Sequence, residues 1–248
     1  NNKKTLKIIL TIATIIFNYT YQYSYANIKS KKHINCHPEI NTKTNNFIIG
    51  YGSLMESESR KRTNPDAKYV YPILVKDFKR LWGMGSDQYG ITFLTIIKSK
   101  NSYFNGVYYP TNYKSMLTTD NRESGYCRIK VNNSQIKPLG LKFLPKGTYW
   151  IYAQKDNNTI KPSSRRPIVQ SYVDIFLNGC IQVGQQFQLY NYMQKCVETT
   201  KDWPNNNKFA WVNDRINSRR PVDIPNAFKI DKLLSKKFLN YFNHPRSS

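Results

Sequence analysis

Apolar and polar positions fall into an organised pattern from residue 47 onwards. Phe47-Ile48-Ile49 is a short apolar run that ends in Gly50-Tyr51-Gly52-Ser53-Leu54 and gives way to polar residues 56–62. This is the pattern of a strand feeding a glycine-containing turn. Segments 67–75, 78–82, 90–98 and 104–109 are short, rich in β-branched and aromatic residues, and separated by turn formers. They predict several strands of a mixed or closed sheet. Residues 112–120 read as a short helix or turn, and 126–131 as a further strand.

From Pro167 the period changes. Ile168, Val169, Tyr172, Val173, Ile175, Phe176 and Leu177 recur near helical spacing and predict a helix over 167–178, with Gly179 as its stop. A second helical stretch is read at 184–197. Near the end of the chain Ile230, Leu233, Leu234 and Phe238 form an apolar stripe between lysines, the signature of an amphipathic helix packed on the domain.

The first 26 residues have a different character. Lys3, Lys4 and Lys7 precede or open an apolar run over 6–17, and a tyrosine-rich polar stretch ends in Ser24-Tyr25-Ala26. A basic start, a short apolar segment and small residues before a cut site are the marks of a secretory signal peptide. The run is shorter than the ~20 residues a membrane-spanning helix needs. The expectation is export to the periplasm or medium, with cleavage near Ala26. Residues 27–46 lack hydrophobic periodicity and read as a polar linker or arm.

Charge alters this picture little. The 248 residues carry a formal net charge of +23. Losing residues 1–26 removes three lysines and no acid, leaving 35 basic and 15 acidic residues, a formal +20. The basic residues are dispersed, and runs such as Arg60-Lys61-Arg62 and Arg219-Arg220 are short. No nucleic-acid motif accompanies them, so nucleic acid is not an expected partner, while weak association with anionic surfaces stays open. The four cysteines, Cys36, Cys127, Cys180 and Cys196, allow three full pairings that the sequence does not rank. Their spacing is no zinc signature, and His33, Cys36 and His37 lack a complementary pair, so no metal is expected. Cys127 has no histidine motif to activate it as a nucleophile. Trp203, Trp211, Asp214 and Arg215 fit core packing better than a pocket lining.

Two segments remain as candidates for chemistry. In the turn Tyr51-Gly52-Ser53-Leu54, Gly52 serves either close approach of backbone N–H groups to an oxygen or a left-handed backbone. In Asp120-Asn121-Arg122-Glu123-Ser124-Gly125-Tyr126, three ionisable side chains sit beside an aromatic strand. Read alone, that cluster is a surface feature in which Arg122 pairs with Asp120.

The order of Phe47 to Leu54, then Phe78-Lys79-Arg80-Leu81-Trp82, then Phe104-Asn105-Gly106-Val107-Tyr108, then Asp120 to Tyr126 resembles the γ-glutamylcyclotransferase-like superfamily over about residues 47–131. The resemblance implies an α+β fold: a small mixed β-barrel with flanking helices over 47–150, and a mainly helical C-terminal extension, 151–248, packed on it. It implies that Tyr51, Gly52, Ser53 and Leu54 cradle a γ-glutamyl group and that Glu123 is the acid/base; Tyr126 is a further candidate for substrate contact, although its place at a strand start fits packing equally well. No cofactor is implied. Pro167 to Tyr172 and Trp211 to Arg215 resemble an extension found in some bacterial members, to which no role attaches. The expected activity is release of 5-oxoproline from γ-glutamyl amines or peptides. A non-catalytic binding module of the same fold, or a basic surface-associated protein, are the alternatives.

Overall fold

The computed structural model describes residues 35–155, 157–204, 207–216 and 225–246. The expected signal peptide, including Ala26, and His33 lie outside them. Residues from Cys36 onwards form one compact unit.

The protein is α+β, with a mixed seven-stranded sheet curled as a half-barrel. Its strands are β1 (Asn46–Gly50), β2 (Tyr71–Ser86), β3 (Ile91–Thr111), β4 (Cys127–Val131), β5 (Ile136–Pro138), β6 (Thr148–Ala153) and β8 (Thr200–Lys201). The order is β4-β6-β1-β3-β2-β5, with β8 also on β2. β1 runs antiparallel to β3 and parallel to β6. Two short strands, β7 (Ile168–Val169) and β9 (Trp211–Val212), pair separately in parallel.

The four strands expected between 67 and 109 are two. β2 crosses the expected break at Asp77, which takes a left-handed φ of 62° at an irregularity in the ladder. β3 likewise runs through the polar stretch from Lys98 to Tyr103. Lys98 and Tyr103 pair with Phe78 and Lys76, and the four residues between them bulge opposite Asp77, largely exposed to water. β6 runs across residue 150, and β8 adds to the same sheet, so segments 47–150 and 151–248 share its strands.

Among the described residues five α-helices complete the unit: α1 (Ser57–Lys61), α2 (Tyr113–Arg122), α3 (Gln170–Gln186), α4 (Tyr192–Glu198) and α5 (Ala227–Lys237). The helix expected to stop at Gly179 continues for seven more residues. Gly179 is there for packing: a Cβ would lie 2.6 Å from the Glu56 backbone nitrogen and 2.7 Å from the Met55 carbonyl carbon. The stretch expected at 184–197 is broken between α3 and α4. The stripe on α5 buries Ile230 and Leu234 against the unit, as expected. Trp211 packs against Trp203 and Phe238, with ring centroids 5.1 and 5.5 Å away. Asp214 accepts from the backbone nitrogen and hydroxyl of Ser171 at the start of α3, each at 2.7 Å, and Arg215 bridges Asp174 and Asp231. These four residues serve the core.

Both disulfides fall within the unit, Cys36–Cys127 and Cys180–Cys196. The first leaves neither a thiolate nucleophile at Cys127 nor a sulfur ligand at Cys36. It also ties the arm to β4, where the Arg128 backbone donates to Cys36 O at 2.7 Å and Arg128 Nη2 to Pro38 O at 2.6 Å.

Arg80 on β2 is fully buried and joins the elements. Its guanidinium donates to Tyr51 O (3.1 Å), Asn105 O (2.7 Å) and Asn105 Oδ1 (3.1 Å) on the sheet side. On the helical side it reaches Cys196 O (2.9 Å), Thr199 Oγ1 (2.9 Å) and Thr200 Oγ1 (2.8 Å). Burial pulls its pKa down to about 9, which leaves it charged at neutral pH. Removing one partner of such a network strands several buried acceptors, each costing ~1–3 kcal/mol. Arg80→Met is expected to lower the unfolding free energy by about 3 kcal/mol or more in denaturant titration.

Candidate functional site

β1 delivers the first half of the site. Its three central residues, Phe47, Ile48 and Ile49, are buried, and the chain leaves the sheet at Gly50 into a turn of 3-10 helix, Ser53–Met55. Met55 N–H donates to Gly52 O at 3.1 Å and Glu56 N–H to Ser53 O at 3.2 Å. Arg60 on α1 fixes the turn from outside, donating to Leu54 O (3.2 Å) and Met55 O (2.9 Å).

Gly52 has φ −129°, outside the left-handed region, so space rather than a left-handed backbone is what the position requires of glycine. A Cβ there would stand 3.0 Å from the Tyr172 hydroxyl and 3.7 Å from Leu94 Cβ. Tyr172 comes from α3 and packs edge-on against Trp82 and Phe93.

α2 delivers the second half. Its N-terminus is capped by Asn112, whose side chain accepts from Ser115 N at 2.8 Å. Glu123 is the C-cap residue, with non-helical backbone and its N–H bonded to Thr119 O at 2.9 Å. The chain turns there, with Tyr126 N–H donating to Glu123 O at 2.8 Å, and enters β4. The Glu123 side chain is 17% exposed.

The two halves meet. A small pocket of about 20 Å³ is lined by Tyr51, Gly52, Ser53, Leu54, Glu123 and Tyr126, all singled out in the sequence, together with Leu94, Tyr152 and Tyr172. The Tyr51 phenol is held well above its usual range, first by burial and then by the charge of Glu123. Its hydroxyl donates to Tyr152 O at 2.6 Å. Tyr126 donates to Leu94 O at 2.8 Å, so its hydroxyl proton is committed to the wall. Tyr152 donates to Asp120 at 2.6 Å, and burial followed by that bond drives its phenol far up.

The expected pairing of Arg122 with Asp120 does not occur. Asp120 is buried and accepts from Arg128 Nε at 2.8 Å as well as from Tyr152, because the helix turns it towards β4 and β6. Arg122 faces the other way and reaches Glu123 Oε1 (3.3 Å), Ser53 Oγ (3.1 Å) and Ser59 Oγ (2.8 Å). A larger cleft beyond Asp120, lined by His37, Glu39, Tyr113 and Arg128 among others, has its buried carboxylate already committed to Arg128 and Tyr152.

Leu94, Tyr152 and Tyr172 were not among the sequence candidates. Tyr172 belonged to the Pro167–Tyr172 stretch with no role attached, and its place against Gly52 gives it one. Among the described residues no cluster of three or more His, Cys, Asp or Glu is arranged to hold a metal ion.

No protein-family model and no curated protein matches the sequence. Among solved structures, the chain is similar to a gamma-glutamyl cyclotransferase, with TM-score 0.48 and 21% identity over 65% of this chain and 92% of that one. It is similar to an uncharacterized Homo sapiens protein, with TM-score 0.46, 21% identity, and 65% and 92% covered. A gamma-glutamyl cyclotransferase specific to glutathione from yeast gives TM-score 0.38 and 13% identity over 63% of this chain and 97% of that one.

The contact at Gly52 has a measurable consequence. Gly52→Ala is expected to lower the melting temperature and weaken ligand capture, and Tyr172→Phe, which removes the opposing hydroxyl, to restore part of the loss. A double-mutant cycle on unfolding free energy should show coupling on the order of 0.5–3 kcal/mol; strict additivity would mean that the two residues do not compete for this space.

Proposed function

We propose that this protein is a member of the γ-glutamylcyclotransferase-like superfamily that converts γ-glutamyl amines or peptides to 5-oxoproline and a free amine. The observation that carries the reading is the meeting, in one pocket, of the Glu123 carboxylate with the Tyr51–Leu54 turn, two segments about seventy residues apart in the chain.

The chemistry asks little of the protein beyond geometry. The substrate's α-amine attacks its own γ-carbonyl carbon, forming the carbon–nitrogen bond of a five-membered lactam, and the bond to the leaving amine breaks. Glu123 takes the proton lost by the attacking nitrogen and returns it to the leaving nitrogen. The first N–H groups of a helical turn have no partner within it, so the backbone N–H groups of Gly52 and Ser53 are assigned to the substrate carboxylate or the developing oxyanion. Because both reacting groups belong to one molecule, folding the substrate into attack geometry supplies much of the rate. The aromatic walls from Tyr51, Tyr126, Tyr152 and Tyr172 exclude water from that geometry.

The experiment is incubation with γ-glutamyl dipeptides and γ-glutamyl alkylamines, reading 5-oxoproline. Glu123→Gln keeps the shape but cannot accept the proton, so turnover should fall by ~10²–10⁴ while the melting temperature holds. Wild-type rates in that variant would remove Glu123 from the mechanism, and a non-catalytic binding module would give no 5-oxoproline at all.

We further propose that the protein is exported and cut after Ala26. The basic and apolar pattern of residues 1–26 and the two disulfides of the folded unit support this, since disulfides persist in oxidising compartments. N-terminal sequencing of protein from its native host should find Asn27 first, outside the cytoplasm; an intact Lys3-Lys4 terminus in the cytosolic fraction would overturn the assignment.

A further inference from the structure

We propose that Arg122 is the positioning residue of this site, holding the Glu123 carboxylate and the Tyr51–Leu54 turn in one fixed relation. The inference rests on the functional reading above and adds to it a residue whose part in the reaction is exerted through Glu123.

Glu123 stands where a helix has just ended. Its backbone, φ −96° and ψ 29°, is not helical, so the ladder of α2 does not dictate its side-chain direction. A carboxylate on a C-cap also meets the negative end of the helix, which disfavours it. A neighbouring cation offsets that cost and restricts the side chain. Arg122 supplies it, with Nε 3.3 Å from Glu123 Oε1.

The same guanidinium does two further things. Its Nη2 donates to Ser53 Oγ at 3.1 Å, inside the glycine turn. It also donates to Ser59 on α1, through Nη1 to the carbonyl and through Nη2 to Oγ at 2.8 Å. One planar fork therefore spans the proton acceptor, the turn and the helix behind the turn. Arginine suits this task and lysine does not, because the fork fixes several directions at once while an ammonium is a single point charge. The Arg122 side chain is 18% exposed, so the contacts are shielded from solvent without being sealed.

Among the groups facing Glu123 are the phenols of Tyr51, at the end of β1, raised by burial and then by the Glu123 charge, and Tyr109, on β3, raised by burial against the lowering charges of Arg60 and Arg122, so neither ionises near neutral pH. Arg122 is a cation in direct contact with the carboxylate. An opposite charge within about 4–6 Å favours the ionised carboxylate. Glu123 must be ionised to accept a proton, so activity falls as pH drops through its pKa. Losing Arg122 raises that pKa, and the acid limb of the pH profile moves to higher pH.

The test measures 5-oxoproline release from γ-glutamyl dipeptides by wild type, Arg122→Gln and Arg122→Lys across pH, with melting temperatures recorded alongside. Arg122→Gln should lower kcat by roughly 10- to 10²-fold, with a smaller change in KM, and move the acid limb of kcat/KM upward by about one pH unit or more. Arg122→Lys should keep the acid limb near its wild-type position, because the charge remains, and still lose part of kcat, because the fork does not. A merely structural arginine would lower the melting temperature and leave the acid limb where it was; that result, or unchanged kcat, overturns the proposal. Should Arg122→Gln fail to fold, the split between limb and kcat in Arg122→Lys decides the question. A wild-type protein that releases no 5-oxoproline overturns the functional reading itself, an outcome distinct from an active wild type whose acid limb does not respond to Arg122.

Discussion

A buried guanidinium held by carbonyl, amide and hydroxyl oxygens is the constraint around which this fold is arranged. A cation of that kind is tolerable only where enough oriented dipoles surround it. For Arg80 they come from the Tyr51 carbonyl, both oxygens of Asn105, and the end of α4 with the strand that follows. The end of α4 is the negative end of a helix, so its carbonyls are well suited to the task. The faces of Phe104 and Phe176, 5.5 and 4.7 Å from the guanidinium carbon, complete the shell. Every one of these elements must be in position before the charge is satisfied. The turn that opens the candidate site starts at one of them, Tyr51, and so its placement is linked to the C-terminal helices through a single side chain.

That linkage explains why the residues after 151 belong with the site. Gly179 lets α3 lie against Met55 and Glu56, directly behind the turn, and Gln182 on the same helix donates to Glu56 at 3.1 Å. Two turns of helix before Gly179, Tyr172 closes one wall of the pocket. Glu56 itself caps α1 by accepting from Ser59 N at 2.7 Å. The site is thus enclosed by layers drawn from both halves of the chain.

Much of this was legible in the sequence where the rule was local. The strand-turn at Phe47–Leu54 followed from an apolar run meeting glycine, and α2 and α5 from short-range pattern. Bringing Glu123 to the turn required the family resemblance, because no local rule joins segments so far apart. What was missed had long-range causes. β6, Thr148–Ala153, is apolar on both faces because sheet neighbours and helices cover it, and it therefore shows no alternation to detect. The stretch Lys98–Tyr103 looked like a loop because its side chains are largely exposed and its middle residues bulge out of the β2–β3 ladder. Arg122 and Asp120 are neighbours along the chain, but a helix sends residues two apart to different sides, so proximity in sequence gave the wrong partner.

Four phenol rings line the pocket, and three of them, Tyr51, Tyr126 and Tyr152, give their hydroxyl hydrogens to protein oxygens. With those hydrogens committed, the three phenols can offer a ligand their oxygen lone pairs and ring faces, but no hydrogen-bond donor. Any acceptor oxygen on a ligand would have to find its donors away from those three rings, among the backbone N–H groups of the turn.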